Sequence, residues 1–155
     1  MGNLIIANYA FNYNTKHISA GMARKIYGDE IWNSYTKFSV VRNPWDRIVS
    51  MWATRWWHQA SDLDDDCSFE DFILNMKPHP HEIYNTLHCN EILDEYINFI
   101  LRFESLQKDF SNMLKGIGVE DISLPHVEKR EHVSYVKFYG DKEKNIVSEL
   151  YKDDI

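Results

Sequence analysis

Apolar positions along the chain switch between two periods, and the switches define the elements. Ser19 is placed to cap a helix over Ala20 to Tyr27, with Gly28 supplying a left-handed stop. Lys37 to Val41 reads as a short, largely apolar strand ending at Arg42. Pro44 then suits the first turn of a helix running to about Trp57, because its missing N–H is an orphan there anyway. At 100° per residue, Trp45, Val49, Trp52 and Trp56 fall within about 60° of one another, and Asn43, Arg47, Ser50 and Thr54 gather on the opposite side. Ser68 and Asp71 approximate a capping box ahead of Phe69, Phe72, Ile73 and Met76, which keep helical spacing until Pro78. Glu82 to Glu95 is mixed and helical in parts. Tyr96 to Phe103 suits a buried strand, followed by a helix with Leu106, Phe110, Met113, Leu114 and Ile117 on one side and Gly116 and Gly118 at its end. An irregular basic and aromatic stretch, Lys129 to Tyr139, precedes a last helix from about Asp141 that turns Ile146, Val147, Leu150 and Tyr151 inward.

Strands alternating with helices predict a parallel sheet covered on both faces, with ligands at the carboxyl ends of the strands. The chain has 155 residues, a length suited to one domain, and its 44% apolar and 26% charged residues are those of a folded globular protein. A net charge of −7 disfavours broad nucleic-acid binding, which needs many cations to neutralise phosphates. Cys67 and Cys89 are too few for a disulfide scaffold and point to a reducing compartment. No apolar run reaches the roughly 18 residues of a membrane span, so the expectation is a cytoplasmic protein without a membrane partner. There is no internal repeat or low-complexity linker. Asp62, Asp64, Asp65 and Asp66 read as a solvated acidic loop, and His79, His81, His88 and Cys89 follow no zinc spacing, so no metal is expected.

Candidate chemistry concentrates where Arg42 leaves a strand beside a helix N-terminus. Free N–H groups and the helix dipole favour an anion there. Arg42, Arg47 and the Ser50 hydroxyl would complete a compact phosphate site. The alternative, equally weighted on residue types, is that Arg42 pairs with a local carboxylate such as Asp46 or Glu104 and that Ser50 merely sits mid-helix. The stretch Lys37-Phe38-Ser39-Val40-Val41-Arg42-Asn43-Pro44-Trp45-Asp46-Arg47-Ile48-Val49-Ser50 resembles the 3′-phosphate-binding motif of sulfotransferases that use 3′-phosphoadenosine 5′-phosphosulfate (PAPS), in particular the carbohydrate sulfotransferase-like branch. Lys16-His17-Ile18-Ser19-Ala20, Phe99 to Leu106 with Asp109-Phe110, Leu124-Pro125-His126 and the segment from Val147 to Ile155 extend the resemblance in order along nearly the whole chain.

That resemblance implies an α/β fold, a P-loop-like three-layer sandwich with a small parallel sheet, incomplete and helix-rich. It implies PAPS as sulfonate donor, its desulfated product adenosine 3′,5′-bisphosphate (PAP) as a second ligand, and a hydroxylated acceptor in the carbohydrate class. Arg42 and Ser50 would hold the 3′-phosphate. His17, an imidazole able to take a proton near neutral pH, is the candidate general base toward the acceptor hydroxyl, with packing against the adjacent helix as its alternative. Lys129 and Arg130 are candidate nucleotide contacts, with an amphipathic surface loop as theirs. Met1 to Asn14 contains no Gly-rich Lys-Ser/Thr turn of the kind that cradles the 5′-phosphosulfate in the family. The expectation is therefore a single domain over residues 1–155, truncated at both ends or reduced, with a non-catalytic nucleotide-binding or interaction module as the alternative function.

Overall fold

The computed structural model of the chain describes residues 3–4, 20–54, 63–64, 66–75, 93, 97–120, 122–125 and 133–154. In chain order the elements are β1 (Asn3–Leu4), α1 (Ala20–Ser34), β2 (Tyr35–Thr36), β3 (Phe38–Val41), α2 (Pro44–Thr54), α3 (Phe69–Asn75), β4 (Phe99–Arg102), a 3-10 turn (Phe103–Ser105), α4 (Leu106–Gly116), a second 3-10 turn (Tyr135–Phe138) and α5 (Asp141–Leu150). This is a mixed helix and strand architecture with small parallel sheets, as the alternating pattern predicts. The residues gather into two compact units, residues 1–41 with 89–127, and residues 42–88 with 128–155.

The first unit contains both strand pairs. β1 runs parallel to β2, and β3 runs parallel to β4 in the register Phe38 to Phe99 through Val41 to Arg102. Parallel strands require a long crossover between them, which fits the 57 residues separating Val41 from Phe99 in the sequence. Leu101 of β4 is buried against Phe110, Met113 and Leu114 of α4, and Phe38 meets Phe110 edge to face at 6.4 Å. Asp109 ties the strand to the helix, accepting from the Arg102 N–H at 2.8 Å and the Ser105 hydroxyl at 2.9 Å. These two bonds hold its carboxyl below the usual carboxylate range. α4 ends as the glycine pattern predicts: Gly118 takes φ 71°, and the Val119 N–H reaches back to the Leu114 carbonyl at 2.9 Å.

One boundary differs from the sequence reading. Gly28 stops the first helical segment as expected, with a non-helical φ of 79° and ψ of 159°, but a second segment that the sequence reading did not name follows the kink and carries α1 on to Ser34. The resumed turn buries Trp32 with Ala20 and Ala23, while Tyr27 and Ile97 pack on the same cluster. The local stop signal is obeyed, and burial of one indole accompanies the segment that follows it.

The second unit is built from α2, α3, α5 and the 3-10 turn at Tyr135–Phe138. Ile48 and Val49 of α2 pack with Phe69, Phe72 and Ile73 of α3, Val147 of α5, and Tyr139 and Tyr151. Trp52, Phe69, Phe138 and Tyr139 add edge-to-face contacts at 5.0–5.6 Å. The Ser68 cap of α3 forms as predicted, with the Asp71 N–H donating to Ser68 Oγ at 3.1 Å. α5 starts at Gly140, whose N–H donates to the buried Glu143 side chain at 2.9 Å. The inward sector of α2 is wider than the predicted stripe of Trp45, Val49, Trp52 and Trp56, of which Trp56 lies outside the described residues, because three elements cover this helix; it also takes in Asp46 and Ile48.

Candidate functional site

Arg42 and Asn43 carry the chain from β3 into α2, and Asn43 governs how α2 begins. Its Oδ1 accepts from the Trp45 N–H at 3.0 Å and the Asp46 N–H at 3.3 Å, while its carbonyl accepts from the Arg47 N–H at 2.9 Å. Pro44 has no N–H to offer. The first-turn amides are therefore already satisfied, which corrects the expectation of free N–H groups waiting for an anion. Asparagine directly before Pro at N1 is among the best N-caps, so this signal was present in the sequence as Asn43-Pro44.

With the amides engaged, side chains carry the electrostatics of the site. The Arg42 Nε–H donates to Asp46 Oδ2 at 2.7 Å, an i,i+4 ion pair in which the two side chains are 20% and 11% exposed. Of the two readings left open by the sequence, a local carboxylate is what Arg42 meets here, and it is Asp46. A guanidinium carries five N–H donors in a planar fork, so a carboxylate on Nε and an anion elsewhere on the same group are compatible. Asp46 Oδ1 is buried without a hydrogen-bond partner. Ser50 lies one turn further along, where i,i+4 spacing makes it a neighbour of Asp46 on the helix surface. It is half-buried, its carbonyl accepts from Thr54 Oγ1 at 2.9 Å, and its hydroxyl has no partner among the described residues.

Arg47, grouped with Arg42 and Ser50 on the sequence, is engaged elsewhere. Its Nη2 donates to Asp154 Oδ2 at 3.2 Å, and its guanidinium lies 5.0 Å from the centre of the Tyr151 ring. The Asp154 side chain is 1% exposed. Burial pushes the Tyr151 phenol up to about 12, with Arg47 pulling the other way. On another side of α2 the Tyr139 hydroxyl donates to the Trp45 carbonyl at 2.8 Å, and burial raises this phenol above its usual range.

Residues 7–155 match the sequence model of the sulfotransferase family. The chain belongs to the sulfotransferase family. A further similarity is to an uncharacterized protein of Archaeoglobus fulgidus, 26% identical over 108 residues that cover 66% of this chain and 83% of that protein. No solved structure matches.

Within this sulfotransferase-family chain the structure brings Arg42, Asp46 and Ser50 into one column at the start of α2. It gives Arg47 a different set of partners. His17, Lys129 and Arg130 lie outside the described residues, as do Asp62, Asp65, His79, His81, His88 and Cys89. The features that sequence reasoning missed are the Asn43 cap and the Tyr139 and Asp154 contacts to α2. The last two span 94 and 107 residues of sequence, and no local pattern reports such pairings. Among the described residues no group of three or more His, Cys, Asp or Glu side chains is arranged around a common point for a metal, and no helix is long and apolar enough to cross a membrane.

Proposed function

We propose that this chain transfers a sulfonate group from PAPS to a hydroxyl of an acceptor in the carbohydrate class, on a P-loop-like three-layer scaffold, with Arg42 and Ser50 holding the 3′-phosphate of the nucleotide. The observation that carries this reading is the family match across the β3 to α2 segment, where the Arg42 guanidinium, bonded to Asp46 through Nε, and the Ser50 hydroxyl, which has no partner among the described residues, stand two turns apart. PAPS supplies an activated sulfonate on a phosphate oxygen. The chain's share of the work is then positioning and charge stabilisation, as in phosphoryl transfer.

In this reading Arg42 contributes a charge-assisted contact and Ser50 Oγ a hydrogen bond to the 3′-phosphate. His17 accepts the proton of the acceptor hydroxyl, which a neutral imidazole does near pH 7. Lys129 and Arg130 approach the nucleotide and offset its negative charge. Arg47 serves the site indirectly: its bond to Asp154 and its stacking on Tyr151 support a role in holding α2 in place.

The test is a titration with PAP and with adenosine 5′-monophosphate (AMP), followed by tryptophan fluorescence, to which Trp45 and Trp52 of α2 contribute. The wild-type chain binds PAP at least about tenfold more tightly than AMP, and Ser50→Ala removes about a tenfold share of that preference, since a hydrogen bond to a charged group contributes about 1.5–3 kcal/mol. Equal affinity for the two nucleotides contradicts the reading. Transfer of labelled sulfonate from PAPS to a panel of glycans separates an enzyme from a binding module, which shares the preference for PAP and transfers nothing.

A further inference from the structure

Asp46 is an unusual residue to find in the inward sector of an amphipathic helix. Only 8% of its surface is exposed, yet its carboxylate has a single bonded oxygen, Oδ2 on the Arg42 Nε–H, while Oδ1 is buried with no hydrogen-bond partner. A buried carboxylate ordinarily collects several donors, because each unpaired oxygen keeps its desolvation cost. Its own N–H is bonded to the Asn43 side chain, so the backbone that carries the carboxylate is fixed by the cap of α2. The other cation on this turn, Arg47, is committed to Asp154, and the nearby Tyr139 phenol is committed to the Trp45 carbonyl. Arg42 is thus the charge that makes burial of Asp46 tolerable, and Asp46 is a group that holds the guanidinium of Arg42 through Nε.

An acceptor on Nε has a definite geometric effect. Nε and the two Nη nitrogens share one plane, so fixing the Nε–H direction fixes the orientation of the whole fork. The same logic makes an outer carboxylate orient a metal-bound imidazole through its second nitrogen. If Arg42 instead swung away from Asp46 to meet a ligand, it would leave a buried carboxylate with neither oxygen paired, a cost that breaking a buried ion pair makes larger than one phosphate contact returns.

We propose that Asp46 is a positioning residue for nucleotide selectivity: it holds Arg42 through Nε before and after binding, and so sets the guanidinium in the orientation from which it meets the 3′-phosphate beside Ser50. The inference rests on the reading that Arg42 and Ser50 hold that phosphate. The opposite role, a carboxylate that mimics the phosphate and competes for Arg42, predicts the opposite sign.

The ratio of the AMP to the PAP dissociation constant reads the role directly, because a general loss of stability weakens both nucleotides and leaves their ratio alone. The ratio is measured for the wild type, Ser50→Ala, Asp46→Asn and Asp46→Ala. Asp46→Ala, which removes the acceptor, lowers the ratio about tenfold while AMP affinity changes less than about twofold. Asp46→Asn keeps an acceptor oxygen for Nε and retains the ratio within about threefold. An unchanged or raised ratio in Asp46→Ala overturns the inference while leaving the phosphate site standing, provided Ser50→Ala still lowers it. A wild-type ratio near one removes the phosphate site and the inference together. Where Asp46→Ala does not fold, Asp46→Glu decides: it keeps the charge but moves the carboxylate by one methylene, so the ratio falls, and an unchanged ratio overturns the inference.

Discussion

Arg42 and Asp46 neutralise each other at the start of α2, with side chains 20% and 11% exposed, so neither is probed cleanly by a single substitution. Arg42→Ala leaves a largely buried carboxylate without its cation and lowers unfolding free energy by the order of 3 kcal/mol, and adding Asp46→Asn recovers most of the loss. Urea unfolding of the single and double variants checks this; an Arg42→Ala chain as stable as wild type contradicts it. Tyr151 gives the residue scale a pH signature. Below pH 10 its phenol is protonated in folded and unfolded chains alike and adds no slope. Between 10.0 and about 12 the unfolded chain ionises it and the folded chain does not, so stability falls as pH rises through that window. Burial of Tyr139 acts in the same direction. Denaturant unfolding from pH 8 to 11 shows the decline, and Tyr151→Phe makes it shallower. At this scale the sequence named Arg42, Asp46 and Ser50 but left open which partner Arg42 takes, because two carboxylates and an anion are equally good partners on charge alone.

Single elements were more legible than their packing. β3, α2, α3, α4 and α5 appear near where periodicity, caps and glycines put them, since those signals are local and strong, but β4 is only Phe99–Arg102 with Ile100 exposed, where a buried strand over Tyr96 to Phe103 was expected, and Leu150 of α5 is exposed instead of turned inward. The break at Gly28 was legible, but the second helical segment after it was not, because Trp32 is buried with help from Ile97, a contact that no local pattern reports. The start of α2 was half-read: Pro44 at N1 was recognised, while the cap that Asn43 provides, and its consequence for the first-turn amides, was not. Asn43→Ala therefore lowers stability by about 1 kcal/mol, whereas Asn43→Asp, which keeps the accepting oxygen, changes it by only a few tenths. Thermal unfolding of the two variants distinguishes this cap from a residue on a solvated face, for which both substitutions are neutral.

Over the whole molecule, the sulfotransferase family match takes in both α2 and the distant residues that support it. The family match covers residues 7–155. The groups that support α2 come from the far end of the sequence: Tyr139 bonds the Trp45 carbonyl, and Asp154 with Tyr151 holds Arg47. A polar stripe of Asn43, Arg47, Ser50 and Thr54 therefore looked like one functional face in the sequence. In the folded chain it divides into a cap at Asn43, a tether from Arg47 to residues 151–154, a Thr54 hydroxyl bonded back to its own helix, and a Ser50 hydroxyl without a partner among the described residues. The central claim is that Arg42 and Ser50 hold the 3′-phosphate of the donor nucleotide, and a crystal structure of the PAP complex tests it most directly. The account predicts phosphate oxygens at hydrogen-bond distance, about 2.7–3.2 Å, from both the Arg42 guanidinium and Ser50 Oγ, with Asp46 still on Nε. A 3′-phosphate bound elsewhere, with Ser50 Oγ out of its reach, contradicts it.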